Sequence, residues 1–220
     1  TGTKLTGNNN TAVGTSAGLL LQGGAAQNTL IGTSAGDSVT TGTSLTILGY
    51  NAGQALEGAT RTTCIGDSAG ASVTTNDNTF IGQNSGQSIT SGDANTILGR
   101  FNGNQHSLDI RTASNHIVLS DGDGNPRATC FSGGSWQFYN TGGSGSDNVN
   151  ARNGDGAGTS RSLFVGWHSA TSPTTGTLAF NVTTNGNVTN INNSYGATSD
   201  VKLKENIVDA ASQWDDIKAL

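Results

Sequence analysis

Two adjacent apolar side chains recur along the first hundred residues, and glycine follows each pair directly. The pairs are Ala12-Val13, Leu30-Ile31, Ile47-Leu48, Cys64-Ile65, Phe80-Ile81 and Ile97-Leu98. Between them lie Thr, Ser, Asn and Gly, with one further apolar position seven residues after that glycine: Leu21, Val39, Leu56, Val73 and Ile89. The full unit reads Thr, any residue, Val/Ile/Leu, Gly, two mostly polar residues, a small residue and a second Gly. Its first glycines, from Gly14 to Gly99, are spaced by 18, 17, 17, 16 and 17 residues. A unit this short cannot fold alone and is stable only when stacked on its neighbours. The pattern predicts an all-β solenoid, or β-roll, with one coil per repeat.

Successive strand residues point to opposite faces. A pair of neighbouring apolar residues therefore needs cover on both sides. The coil interior supplies one cover, and an identical chain is the simplest source of the other. The expectation is a homo-oligomer of cyclic symmetry, a homotrimer above all. The second apolar column predicts a second short strand per coil. The small residue before the second glycine (Ala17, Ala35, Ala52, Ala69, Ser85) predicts a tight interior corner. The second glycine itself is expected at positive φ, where a Cβ would clash. In the sixth copy the small position becomes Asn102 and the second column His106, so the shaft is expected over residues 1–106.

Composition narrows the classes. The chain has 220 residues, 33 Gly and 11% charged residues, too little charge for ordinary disorder. A flexible Gly/Ser linker would not keep paired apolar residues in register over six copies. Net charge is −5 with no Lys/Arg cluster, which excludes a nucleic-acid surface. The longest apolar stretch, Ala17 to Leu21, includes a glycine, so no membrane insertion is expected. The absence of Met predicts a fragment or a processed product. Cys64 occupies an apolar repeat position and reads as core, with no disulfide to Cys130 expected. No cofactor is expected.

Beyond residue 106 the repeat stops. A β-hairpin connector is expected over 107–140: a strand at Asn115–Ser120, a turn at Asp121–Asn125, a return at Arg127–Phe131 and a third strand at Ser135–Tyr139. The D-x-D-x-N spacing of the turn has the start of a calcium loop, but Ser132 stands where the bidentate Glu belongs. A plain turn is the reading, and no metal site. Residues 141–198 are expected as a loop-rich β stem or tip, with short strands at Leu163–Trp167, Thr177–Phe180 and Val188–Ile191. Asn185-Gly186 marks a hairpin between the last two. Asn181, Asn187 and Asn192 lie in N-x-S/T sequons that follow from composition. His106, His116 and His168 have no ligand spacing and read as polar surface residues.

Charge becomes dense only after Ser199. Ile207, Ala211, Trp214 and Ile217 recur at helical spacing, which predicts a short amphipathic C-terminal helix within 199–220. On residue types alone, Ser199 suits a helix cap, with Lys204 and Glu205 on a solvated face. It suits equally a nucleophile whose proton a buried lysine removes.

The run Asn193-Ser-Tyr-Gly-Ala-Thr-Ser-Asp-Val-Lys-Leu-Lys-Glu-Asn-Ile207 closely resembles the entry to the endosialidase-type intramolecular chaperone domain. That domain ends many bacteriophage tail fibres and tailspikes, and a related one occurs in the myelin regulatory factor. The resemblance covers about the last tenth of the chain. It implies a trimerising chaperone, here truncated, that templates the fibre and then cuts itself off through a Ser–Lys dyad. Matched position by position, Ser199 would be the nucleophile and Lys204 its base, with scission between Thr198 and Ser199. The implied setting is a virion tail fibre, assembled in the host cytoplasm. The implied partners are sister chains, other phage tail proteins, and a host surface glycan or envelope protein. The repeat also looks like the head repeats of trimeric autotransporter adhesins. Alternatives of other classes are therefore a bacterial trimeric adhesin head and a polysaccharide-degrading tailspike enzyme. The enzyme would need paired carboxylates and aromatic sugar platforms.

Overall fold

A computed structural model describes residues 7–139, 162–172, 175–183 and 188–190. The chain divides into two compact units, Thr1–Val149 and Asn150–Leu220. The described part is all-β, and its first unit is a β-solenoid of about six turns.

Each repeat contributes one three-residue strand: β1 (Thr11–Val13), β2 (Thr29–Ile31), β3 (Thr46–Leu48), β4 (Thr63–Ile65), β5 (Thr79–Ile81) and β6 (Thr96–Leu98). Thr and β-branched residues favour the extended backbone, and the glycine after each strand ends it. All six strands pair in parallel and in register, Thr on Thr and aliphatic on aliphatic. The middle residue of each points inward: Leu30, Ile47, Cys64, Phe80 and Ile97 are all 0% exposed. Each such side chain contributes on the order of 1.5–3 kcal/mol by leaving water. Burial pushes the Cys64 thiol up to about 12, so it packs as an apolar residue rather than a nucleophile. Cys64 and Cys130 are both free.

The expected second strand per coil is not there. The segments after the first glycine, such as Gly32–Ser38, are turns, and Leu21, Val39, Leu56 and Val73 close them with their side chains buried. Ser34 and Gly36 both take positive φ, 55° each, and this alternation sends backbone bonds to both neighbouring coils. The Ser34 amide donates to Thr15 O at 2.8 Å, and the Gly36 amide to Ala52 O at 2.9 Å. Polar bonding therefore continues along the stack without an extended strand. The second glycines do sit at positive φ, as expected.

Stacking also runs past residue 106. The extra residues of the sixth coil form a small hairpin of β7 (Asn104–Gln105) and β8 (Leu108–Asp109), turning at His106 and Ser107, which both have positive φ. Ile110, not His106, then takes the buried second-column place, its amide donating to Gly103 O at 2.8 Å as Val39 does to Gly36 O at 3.1 Å. β9 (Ile117–Ser120) stacks parallel on β6, with Ile97 opposite Val118. Then β10 (Pro126–Cys130) and β11 (Trp136–Phe138) follow antiparallel, which matches the expected hairpins. All nine strands, β1 to β6 and β9 to β11, form one sheet.

An internal polar ladder precedes the strands. Asn78 Oδ1 accepts from the Asn95 amide at 3.0 Å, and Asn95 Oδ1 accepts from the His116 amide at 2.9 Å. Asn95 Nδ2 donates to Ala113 O at 2.8 Å. His116 is thus a buried ladder member rather than a surface residue. Its Nδ1 lies 2.8 Å from Ser114 O, and its ring meets Phe131 edge-on. Asn95→Ala strips partners from the buried His116 amide and the part-buried Ala113 carbonyl. It should cost about 1–3 kcal/mol, read as a lower denaturation midpoint, and an unchanged midpoint would refute the ladder's role.

In the second unit, β12 (Ser162–Ser172), β13 (Thr175–Thr183) and β14 (Val188–Asn190) form an antiparallel meander. The strands expected at Leu163–Trp167 and Thr177–Phe180 fall within β12 and β13. The expected Asn185-Gly186 turn lies outside the described residues.

Candidate functional site

Because strand residues alternate, the buried middle residues force the flanking two outward. The aliphatic partner of each pair faces outward: Val13 is 57% exposed, Leu48 45%, Ile81 39% and Leu98 40%, while Ile31 and Ile65 are half-buried. Strand register aligns these residues with Ile31 and Ile65 in one column, beside a second column of Thr11, Thr29, Thr46, Thr63, Thr79 and Thr96. Both columns continue where the sheet turns antiparallel. Ile117, Cys130 and Trp136 prolong the threonine column, and Leu119, Ala128 and Phe138 prolong the aliphatic one. Trp136 and Phe138 are half exposed and stack with ring centroids 6.3 Å apart and planes 17° apart. The two columns carry no charged residue; the one charged side chain in these nine strands, Arg127, sits at the β-bulge of β10 and is tied to Asp121 at 2.6 Å. A contiguous apolar face of this length is what interaction surfaces present.

A second feature is a polar groove of about 340 Å³ beside the last coils, lined by Ser72, Ser88, Thr90, Asp109, Arg111 and Thr112. Arg111 Nε and Nη2 donate to the Asp109 carboxylate at 3.0 and 2.8 Å, and Thr90 Oγ1 donates to Arg111 O at 3.3 Å. The bidentate bond to Arg111 holds the Asp109 carboxyl below its ordinary range. Hydroxyls beside a fixed ion pair can hold a polyhydroxyl ligand. A single carboxylate locked to arginine is not the paired arrangement that glycoside cleavage uses.

The D-x-D-x-N segment is occupied with its own backbone. Asp121 Oδ1 accepts from the Asp123 and Asn125 amides at 3.0 and 2.9 Å, and Oδ2 accepts from Arg127 Nη2 at 2.6 Å. The Asn125 side chain, with Arg127 and the two amides, keeps the Asp121 carboxyl well below the usual range. A depressed folded value means these bonds are fully present above an unfolded carboxyl's pKa, about 4, and weaken only as pH falls beyond it. The Asn125 amide resonance should stay flat from pH 7 to 4 and shift below. A midpoint near 4 would overturn this.

Thr198, Ser199 and Lys204 lie outside the described residues, as does the C-terminal helix expected within 199–220. The sequence pattern missed the groove, whose Asp109 and Arg111 flank the sixth-coil insertion rather than a repeat position. It also missed the ladder, although Asn directly precedes four of the six strands. Comparison with known proteins found no matching family model, curated protein or solved structure.

Proposed function

We propose that this chain is a structural and adhesive protein, a length of bacteriophage tail fibre or tailspike that acts as a homotrimer. The observation that supports it best is the uncharged, bare sheet face, which water would penalise along the whole shaft. Three copies wrapped face-inward would cover it and leave the turns outside. The solenoid then supplies length and rigidity, and the outward groove at Arg111 is the place for contact with a host surface glycan. The Ser-Asp-x-Lys-Leu-Lys run at residues 199–204 supports the same reading. A chaperone that trimerises first would bring the faces together and then be released by Ser199, with Lys204 as base.

Expression of the complete reading frame tests both parts. Light scattering should give three times the chain mass. A denaturing gel should show a processed band in wild type that Ser199→Ala and Lys204→Ala abolish. A monomer refutes the homotrimer, and identical full-length bands refute the dyad.

A further inference from the structure

The outward face has a weakness as an interface between copies. Over β1 to β6 it is nearly periodic: Thr repeats on Thr, and Val, Ile or Leu on its like. Sliding one copy past another by a single coil, about 4.8 Å, would set threonine against threonine and aliphatic against aliphatic again. Many axial registers would then be close in free energy, just as two-sided, featureless strands slip. Periodicity ends only at β9 to β11. There Ile117, Cys130 and Trp136 replace threonines, and Phe138 replaces an aliphatic.

We infer that the stacked Trp136–Phe138 pair on the edge strand is the register lock of a parallel self-assembly through this face. This rests on the homo-oligomer reading above. The occupant is further copies of this chain. The eight half-exposed large apolar residues of the face leave roughly 700 Å² bare, close to the roughly 800 Å² each partner gives a standard interface. Only a surface with the same repeat can follow the face over nine strands, and its lack of charge asks for an equally uncharged partner. In register, the aromatic pairs of the copies meet one another at one level. Slipped by one coil, each pair faces an aliphatic or overhangs the end of its neighbour. Large aromatics at an interface carry a disproportionate share of its free energy. One non-repeating pair can therefore select among otherwise equivalent alignments, as a single distinctive residue fixes register in coiled coils.

The test uses mixed disulfides in a Cys130→Ser background. Affinity-tagged Leu48→Cys chains are co-assembled with untagged Ile65→Cys chains and oxidised. With Trp136 and Phe138 intact, disulfides should form between like positions, and mixed ones should be at least tenfold rarer. In Trp136→Leu/Phe138→Leu, which keeps the end apolar but makes it resemble the repeat, mixed disulfides should rise to about the like-position level. Mixed disulfides staying equally rare in that variant, and in Trp136→Ala/Phe138→Ala, would overturn the lock while leaving the assembly standing. Loss of all disulfides in the variants alone would also overturn it, since the pair would then drive association rather than alignment. No intermolecular disulfide in any mixture would refute the self-assembly beneath it.

Discussion

Gly66→Ala should be among the most damaging substitutions in the shaft, costing about 3 kcal/mol or more. Gly66 has φ +132°, a region open to glycine but not to residues with a Cβ. A Cβ there would also strike the next coil: the Gly82 carbonyl oxygen lies within contact, its carbon at 2.6 Å and Gln83 N at 3.0 Å. These are backbone atoms held in the parallel ladder, so no side chain can swing aside. Relief requires the coils to separate. Stability in a stack is carried by neighbour contacts, so the damage should spread to both sides of the fourth coil. Gly23→Ala is the control, with nothing within 4 Å of the added carbon. It should be neutral. Thermal denaturation checks both, and a Gly66→Ala midpoint within a degree or two of the parent's would refute the stacking geometry.

Leu48→Asp with Ile81→Asp should separate folding from assembly. Both side chains point outward and are 45% and 39% exposed within one chain, so the isolated chain should fold with its β signal intact. In a face-to-face assembly the same positions are buried, and each aspartate is repeated in every copy. An uncompensated buried charge costs about 3–5 kcal/mol, which is at least about a hundredfold in association. Sedimentation should show single chains where the parent associates. Ile47→Asp, one residue away on the inward face, should instead unfold the coil. If the double variant associates like the parent, the face is not the interface.

Much of this architecture is readable because a local rule repeats. Period and strand positions follow from the recurring pairs, and alternation in an extended backbone puts the two members of each pair on opposite faces. Phe80 and Ile97 are buried for the same reason as Leu30. The hairpin over Ile117–Phe138 was legible from its turn residues. The misreadings have equally local causes. Val39 and its column read as strand because apolar spacing reports burial, not dihedral angles, and a turn with alternating positive φ buries it just as well. His106 looked like the end of the shaft because a two-residue hairpin displaced the column by four positions to Ile110. His116 looked like a surface residue because nothing local reveals that its amide completes a ladder of asparagines from other coils.

The sequence by itself determined that this chain stacks as coils, since no single 17-residue unit can bury enough apolar surface to hold together. It determined also that two adjacent apolar columns must lie on opposite faces of one sheet. Only the tertiary structure decided which of the two faces outward, and that the outward column continues in register from Val13 to Phe138. That depends on the register between strands 16 to 21 residues apart and on the switch from parallel to antiparallel pairing. Such long-range hydrogen bonding leaves no mark on residue spacing.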